Sequence, residues 1–323
     1  MPTLRHIASI AAAVAALHTA APACLAQTWT DRPTRVLVGQ TAGGSGDFLA
    51  RLISNALTQV TQRTFVVENR VGASGMIASD AVARSEPDGH TVAVVGSTHA
   101  RLPALFDNVP YDTLKSFKCV GLIAGGPYVL AVHPSVPATT LPELIDYLKK
   151  HPSFFGDAGV GSGQHMSAEL FKHLTKVPIS QISYKGGGAM QVDLLAGRVS
   201  LGFDNPSSIL KYIQQGGLRA IAITDTQRFA ELPDVPTMAE LGYPEMTVVG
   251  WFSLLASAGT PQPILDAFNK ALNTALARPD VIESLRRVGS RPLPDTPAAC
   301  DNLIAAETRK WGDMLRSLHI QKP

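Results

Sequence analysis

The chain has few of the residues that carry recognisable catalytic or metal chemistry. Its 323 residues include three cysteines, 6% aromatic residues and 17% charged residues. No CxxC pair is present, which argues against a zinc or thiol redox site. A formal net charge of +2 gives no electrostatic basis for binding nucleic acid. Beyond the N-terminal segment no apolar run approaches the ~20 residues of a membrane span, so we expect a soluble mature protein.

Motifs for catalysis are also missing. The sequence contains no GxxxxGK[ST], HExxH or GxSxG pattern. The run at 159–163 resembles a dinucleotide loop only loosely, without the full spacing or an acidic partner. His165, Glu169 and His173 share a helix face but lack a fourth ligand, so we interpret them as surface polar residues. The sequence therefore predicts no enzyme, no cofactor and no bound metal.

The N-terminus is typical of a bacterial secretory signal peptide. A short basic region precedes apolar residues 7–17 and the sequence APACLAQ. We expect the first 26 residues to be removed, with cleavage after Ala23 or Ala26, and the mature protein to be periplasmic. Cys119 and Cys300 then remain in a compartment that permits disulfides, but the sequence leaves open whether they pair.

Short apolar runs alternate with helical patterns in the mature chain. Strands at 36–38, 65–67 and 91–95 are interleaved with amphipathic helices at 47–60 and 76–84. Such β-α-β alternation favours mostly parallel sheets with helices on both faces.

Two apolar strands, at 120–132 and 248–256, are suited to cross between two lobes. We predict one lobe from residues 27–125 plus 251–323 and a second from 126–250. Two α/β lobes joined in this way leave a cleft between them, and ligands bind in such clefts.

Three consecutive glycines, Gly186 to Gly188, stand where a strand ends and a helix begins. Glycine lets a ligand approach bare backbone N–H groups closely. The first turn of a helix has unpaired N–H donors and a partial positive charge, which suits an anion. Similar glycine-rich helix starts recur along the chain. Together they indicate a protein that holds a small anion rather than transforming it.

The order and spacing of many short motifs resemble one family over nearly the whole mature chain, from about Trp29 to Ile320. The chain is similar to periplasmic solute-binding proteins of the tripartite tricarboxylate transporter class, often called the Bug family. The motifs include RPTRVLV, AGGSGD, VVENRVGASG, SEPDGHTVAV, LPELIDYLKKHP, GSGQHMSAELF, SYKGGGA, FDNPSS and QRFAELPDVPTMAELG.

The resemblance implies both a fold and a function. The fold would be a two-lobed α/β periplasmic-binding-protein fold, type II-like, with the ligand cleft between lobes. The ligand would be a small carboxylate: an organic acid, an acidic amino acid or an aromatic acid. Closure of the lobes would capture it, and integral-membrane transporter subunits would receive it. We expect the protein to act as a monomer. Alternatives are a ligand-sensing partner of a histidine kinase and a hydrolase that uses His165 or His99.

The resemblance also implies the ligand-binding residues. The first lobe would supply Gly43, Gly44, Asp47, Ser97, Thr98 and His99, and the second Gly161, Ser162, His165, Tyr184, Gly186 and Asp204. For some of these a structural role stands beside the ligand role. Asp47 and Asp204 also suit helix capping, and Tyr184 also suits a cleft wall.

The chain departs from the family pattern at three places. Gln40 and Thr41 replace prolines of the first loop, and Gly163 replaces a small hydroxyl residue. Arg101 follows the His99 segment where the family has no arginine. A guanidinium binds carboxylates in bidentate fashion, so we hypothesise that Arg101 binds a distal acidic group of the ligand. The alternative is that Arg101 points to solvent.

Overall fold

The structure, a computed structural model, describes residues 32–184 and 187–317. Up to Asp157 it contains β1 (Thr34–Val38), α1 (Ser45–Thr61), β2 (Phe65–Asn69), α2 (Met76–Ala83), β3 (Thr91–Gly96), α3 (Leu102–Leu105), β4 (Phe117–Pro127), β5 (Val129–Val132), α4 (Leu141–Lys150) and β6 (Ser153–Asp157). From Gly163 it contains α5 (Gly163–Thr175), β7 (Ile179–Ser183), α6 (Gly187–Leu195), β8 (Leu201–Asp204), α7 (Pro206–Gln214), β9 (Arg219–Ile223), β10 (Val249–Ser257), α8 (Gln262–Leu276), α9 (Pro279–Arg287), β11 (Arg291–Pro292) and α10 (Pro297–Ser317). The predicted signal peptide lies outside the described residues.

Two sheets organise the chain. The first has the strand order β11-β4-β10-β3-β1-β2 and the second β7-β6-β8-β5-β9. We call each sheet with its flanking helices lobe 1 and lobe 2, respectively. The expectation of mostly parallel sheets is wrong in detail. β10 runs antiparallel to β3 and β4, and β5 runs antiparallel to β8 and β9, because these strands carry the chain between lobes. The predicted residue limits of the lobes stay a prediction.

The two crossings between the lobes lie side by side. At the first, Tyr128 separates β4 from β5; the second enters β10 near Val248. The buried Thr224 joins them. Its hydroxyl accepts the Tyr128 N–H at 2.8 Å and donates to the Val248 carbonyl at 2.6 Å, and its N–H donates to the Tyr128 carbonyl at 3.0 Å. Relative motion of the lobes therefore involves this bonded pair of segments, together with α10, which packs on the cores of both lobes.

Gly125-Gly126-Pro127 does not interrupt the first crossing strand, because β4 continues through these residues to Pro127. The glycines serve close packing instead. A Cβ at Gly126 would lie 2.5 Å from the Gly289 carbonyl oxygen, and one at Gly125 would lie 2.9 Å from the Gly250 carbonyl oxygen. Neighbouring backbone therefore occupies the space that a side chain would need.

Helix starts follow the sequence signals in part. Thr140 and Glu143 form a reciprocal capping box at the start of α4. Thr237 and Glu240 make the same pair of bonds, at 2.7 and 3.1 Å, but only a turn follows them. The chain reaches Gly242 two residues later, where φ is +90°, and this left-handed conformation ends the turn.

The C-terminal helix α10 contacts the cores of both lobes. Near its start, Cys300 and Ile304 pack with the lobe 1 core; near its end, Trp311 and Leu315 pack with the lobe 2 core. A disulfide joins Cys300 to Cys119 in β4, with 5.9 Å between the Cα atoms. This settles the pairing that the sequence left open. Each of the described helices is too short or too polar to cross a membrane.

Candidate functional site

A cavity of about 990 Å³ lies between the lobes. It is bordered by the loops that follow the carboxyl ends of β1, β3, β6 and β8, where ligands bind in open α/β sheets. Lobe 1 contributes mainly residues 39–46, 74–75 and 94–99; lobe 2 contributes mainly 158–160, 162–164, 187–189 and 204–205. A bound molecule of small-acid size would contact both lobes.

Four helices begin at the cavity wall. The wall includes the first residues of α1, α5 and α6, and it includes Asn205 and Ser208 at the start of α7. Helix N-termini carry unpaired N–H groups and a partial positive charge. The predicted glycine-rich helix starts of α1, α5 and α6 therefore border one cavity, and the binding of an anion there stays a prediction.

Some backbone N–H groups at the starts of α1 and α5 have acceptors within the protein, and others do not. At α1 the Gln40 side chain accepts the Gly46 N–H at 2.6 Å, so that donor is already occupied. At α5, the N–H groups of Gly163 and Gln164 have no acceptor within the described part of the chain. The N–H groups of Ser45 and Asp47 at α1 likewise have no acceptor among the described residues, so both lobes present open donors to the cavity.

The cavity wall is polar but nearly uncharged. Among its described residues there is no lysine or arginine, and Asp204 is the one carboxylate. The other polar groups are neutral hydroxyls and amides, including Ser97, Gln164 and Gln191. An anion at this site would be held by dipoles and neutral donors.

Seven of the predicted site residues border the cavity: Gly43, Gly44, Ser97, Thr98, His99, Ser162 and Asp204. Five others lie behind the wall: Asp47, Arg101, Gly161, His165 and Tyr184. Gly186 lies outside the described residues. Contact of any of them with a ligand stays a prediction, but the position of the five favours supporting roles.

Asp47 supports the first loop of lobe 1 from behind. Its buried carboxylate accepts the Gly43 N–H at 2.9 Å and the Asn69 amide at 2.9 Å, and it pairs with Arg51 at 2.9 Å. The Arg51 bond, with these N–H donors, lowers the pKa of Asp47 to about 2. All of these donors come from the protein, so Asp47 fixes the loop that carries Gly43 and Gly44.

His165 and Ser162 fix the loop before α5. The Gly161 N–H donates to His165 Nδ1 at 3.1 Å, and the Ser162 hydroxyl caps α5 by accepting the His165 N–H at 3.1 Å. Burial lowers the pKa of His165, so its ring is neutral and can accept this bond. Glu169, which shares a helix face with His165 and His173, pairs with Lys172 at 3.3 Å.

Tyr184 also points away from the ligand space. Its hydroxyl donates to Asp193 at 2.8 Å, and desolvation together with this bond raises the pKa of Tyr184 to about 12. It therefore braces the start of lobe 2's glycine loop against α6.

Arg101 is fully buried, so the alternative that it points to solvent is wrong. Its guanidinium carbon lies 4.4 Å from the Trp311 ring centroid, and Nη1 donates to the Gly161 carbonyl at 3.2 Å. Nε and Nη2 have no hydrogen-bond partner among the described residues. Burial lowers the pKa of Arg101. The side chain thus connects lobe 1 to α10 and to the loop that precedes α5.

His99 borders the cavity as a neutral ring. It stacks on Tyr111 at a centroid distance of 5.7 Å and meets Phe117 edge-on at 5.1 Å. Burial in this aromatic environment lowers the pKa of His99 to about 4. An ion pair between His99 and a carboxylate is therefore not available at neutral pH.

Asp204 ends β8 inside lobe 2 and is 1% exposed. Gln164, Gln191 and the Asn205 N–H donate to it at 3.2, 2.9 and 2.8 Å. Burial nevertheless raises the pKa of Asp204 to about 6, since these donors offset desolvation only in part. The capping interpretation fails, because the α7 cap position, Asn205, makes no side-chain cap bond and Asp204 binds side chains of α5 and α6.

Several wall residues were not predicted as ligand residues, among them Tyr128, Gln164, Gln191 and Phe252. Gln164 and Gln191 stand in the first two turns of helices with glycine-rich starts, and this position was an available signal. Tyr128 lies in the first crossing, and its side chain fills space that glycine leaves open. A Cβ at Gly163 would lie 1.8 Å from the Tyr128 hydroxyl oxygen.

Comparison with known proteins identifies the family. The model of the tripartite tricarboxylate transporter family receptor matches residues 49–320. The chain is 36% identical to protein BugT of Bordetella pertussis over 98% of each chain. Among solved structures it is similar to R. palustris Rpa4515 with adipate, at 34% identity and a TM-score of 0.82 over 90% of this chain and 99% of that one. It is also similar to MatC (Rpa3494) from Rhodopseudomonas palustris with bound malate, at 31% identity and a TM-score of 0.78 over 87% and 98%.

The chain therefore belongs to the tripartite tricarboxylate transporter receptor family, a family of periplasmic solute-binding proteins. The resemblance read from the motifs is confirmed. The two-lobed α/β periplasmic-binding-protein fold is confirmed as well.

Proposed function

We propose that this receptor-family protein captures a small carboxylate between its lobes in the periplasm and delivers it to integral-membrane transporter subunits. The observation that carries the proposal is the interlobe cavity, where four helices begin and where the described wall contains no cationic side chain. The export step rests on the predicted signal peptide, and the delivery step rests on the family.

Helix starts suit a carboxylate for a physical reason. Their N–H groups point along the helix axis, and a carboxylate accepts several hydrogen bonds from such groups. The N–H groups of Gly163 and Gln164 in lobe 2 and of Ser45 and Asp47 in lobe 1 have no acceptor among the described residues and can serve as such donors. Neutral donors bind any carboxylate, so the remainder of the cavity must determine which acid is preferred.

Lobe closure would follow from contact with both lobes. Ser97 and Thr98 approach the cavity from lobe 1, whereas Ser162 and Asp204 approach from lobe 2. A ligand that contacts all four stabilises the closed arrangement by its differential affinity for it. The acids in the two similar solved structures, adipate and malate, support a ligand of this class and size.

A thermal-shift screen tests the proposal. The mature chain, residues 27–323, would be unfolded and refolded to remove any co-purified ligand, then heated with mono-, di- and tricarboxylates, acidic amino acids and aromatic acids. We expect at least one acid class to raise the melting temperature in a concentration-dependent way and the corresponding amides to have no effect.

A pair of variants on α6 locates the binding. A Cβ at Gly188 meets no atom within 4 Å, so Gly188→Trp places an indole in the cavity without a backbone clash, and we expect it to abolish the shift. Val192 is 61% exposed on the same helix, so Val192→Trp should retain the shift. The proposal fails if no acid stabilises the refolded protein, or if Gly188→Trp responds as strongly as Val192→Trp.

A further inference from the structure

Asp204 is an unusual residue for an anion site. It is buried, it borders the cavity, and it brings negative charge to the place where the helix starts concentrate positive potential. The first residue of α6, Gly187, lies against it: a Cβ at Gly187 would be 3.8 Å from Asp204 Oδ1. A carboxylate bound at the starts of α5 and α6 would therefore lie beside the Asp204 carboxylate.

The hydrogen bonds of Asp204 leave one acceptor position open. An ionised carboxylate has about four lone-pair positions. Within the described chain, Oδ1 accepts from Gln164 and from the Asn205 N–H, and Oδ2 accepts from Gln191 alone. Oδ2 can accept one more hydrogen bond.

Among the described residues, none supplies a charge that would neutralise Asp204. Gln164 on α5, Gln191 on α6 and Asn205 before α7 are neutral donors. Tyr128, on the crossing segment, is the titratable group that interacts with Asp204 electrostatically, and burial raises the pKa of Tyr128. No ion pair to Asp204 exists among the described residues. An unpaired buried carboxylate is costly, and the fold would not require it, because an asparagine could occupy the same position.

A second carboxylate beside Asp204 would be repelled unless a hydrogen-bond donor stands between the two groups. A hydroxyl or an ammonium on the carbon next to the ligand's carboxylate places a donor at that distance. Such a donor would fill the open position on Oδ2 and offset the repulsion. An unsubstituted acid of the same length has nothing to offer Asp204.

We propose that Asp204 selects the ligand, and that the preferred ligands are carboxylic acids carrying a hydroxyl or amino donor next to the carboxylate. This inference rests on the proposed function and narrows its ligand class. Gln164 and Gln191 act as positioning residues, since their amides hold the Asp204 carboxylate.

The test uses two sets of acids. Within each set the members differ only in the substituent on the carbon next to one carboxylate. The first set is succinate, malate and aspartate; the second is adipate, 2-hydroxyadipate and 2-aminoadipate. Dissociation constants are measured by isothermal titration calorimetry at pH 7. In at least one set we expect the wild-type protein to bind the hydroxy or amino acid at least 10-fold more tightly than the unsubstituted acid. The member that binds best tells whether the donor is a hydroxyl or an ammonium.

Variants assign the preference to Asp204. Asp204→Asn should reduce the preference to less than 3-fold, mainly by improving binding of the unsubstituted acid. Asp146→Asn removes a carboxylate from the exposed side of α4, outside the cavity wall, and should leave the preference unchanged. Melting curves of both variants report whether they fold.

The results separate this inference from the proposed function. If acids bind but the wild-type protein shows no preference in either set, or if Asp204→Asn keeps the full preference, the role of Asp204 is wrong and carboxylate capture stands. If neither set binds while other acids of the screen do, the ligand class proposed here is wrong. If no acid of the whole screen binds, carboxylate capture itself is wrong.

Discussion

At the scale of single residues, glycines around the cavity determine which side chains fit. The Tyr128 ring occupies the space that a Cβ at Gly163 would need. Gly161 has φ of +79°, and a Cβ there would lie 2.3 Å from Leu105 Cδ1. Gly161 lets Leu105 of lobe 1 lie close to the start of α5, and Gly163 lets Tyr128 of the crossing segment do so.

The raised pKa of Asp204 predicts how the free energy of unfolding changes with pH. Its folded-state pKa, about 6, lies above the usual value for aspartate. A raised pKa means that its stabilising contribution is complete below about pH 4 and is lost as pH rises through about 6. The free energy of unfolding of the ligand-free wild-type protein, relative to Asp204→Asn, should fall by about 2–3 kcal/mol between pH 4 and pH 7.

Urea unfolding of both proteins at several pH values measures this difference. Asp204→Asn also alters hydrogen bonds, but their contribution to the difference in unfolding free energy is the same at every pH. The change of that difference with pH therefore reports the titration of Asp204. A difference that stays constant from pH 4 to pH 7 would show that the Asp204 carboxyl titrates normally in the folded protein.

The sequence predicted the positions of the site residues more reliably than the contacts of their side chains. The family resemblance implied site residues on loops that follow strand ends, and seven of these residues border the cavity. Asp47 and His165 were placed on the right loops, yet their polar atoms turn toward Gly43 and Gly161. Whether a side chain faces a ligand or a backbone N–H depends on packing that one sequence does not encode locally.

At the scale of elements, Arg101 connects α3, α10 and the loop before α5. Its guanidinium stacks on Trp311 and donates to the Gly161 carbonyl, beside the open donors of α5. We expect Arg101→Met to weaken binding of hexanoate and adipate by the same factor, several-fold or more, because it loosens the Gly161 loop that serves both acids. Titration calorimetry with this pair of equal-length mono- and dicarboxylates measures the two factors.

The comparison also tests the sequence-based hypothesis that Arg101 binds a distal acidic group. A loss confined to adipate would support that hypothesis and contradict a role through Gly161. Lys310→Met changes a half-exposed cation over the same Trp311 ring, 5.4 Å from the centroid, and serves as the matched control that should leave both affinities unchanged.

The disulfide between β4 and α10 closes a long segment of chain, with a sequence separation of 181 residues. Constraining so long a loop in the unfolded state should stabilise the protein by about 2–5 kcal/mol. Urea unfolding with and without a reducing agent measures this, and a Cys119→Ser, Cys300→Ser variant should show no response to the reductant. Equal unfolding midpoints for oxidised and reduced wild-type protein would contradict the prediction.

Element boundaries followed local signals where those signals were strong. α8 and α9 follow such signals, since each begins at a proline-containing first turn and buries a periodic apolar face. The direction of β5 and β10 was not predictable, because it depends on how the chain passes between lobes. The span of α10 across both cores was likewise beyond local patterns.

At the scale of the whole molecule, two lobes enclose a cavity, and their crossings share the bonds of Thr224. The alternation of strands and helices predicts two such lobes, and the family resemblance predicts the cleft. The absence of cationic side chains from the described wall could not be read from the sequence, because it depends on which faces of the loops turn inward. The lack of lysine and arginine in the described wall, together with the helix starts from both lobes, favours a binding protein for small acids.

The most direct measurement is a crystal structure of the refolded mature protein with the acid that gives the largest thermal shift. We predict that one carboxylate lies between the lobes, with its oxygens about 3 Å from N–H groups at the start of α5 and with no lysine or arginine in direct contact. A ligand bound outside the interlobe cavity, or held there by a cationic side chain instead of by helix starts, would contradict this prediction.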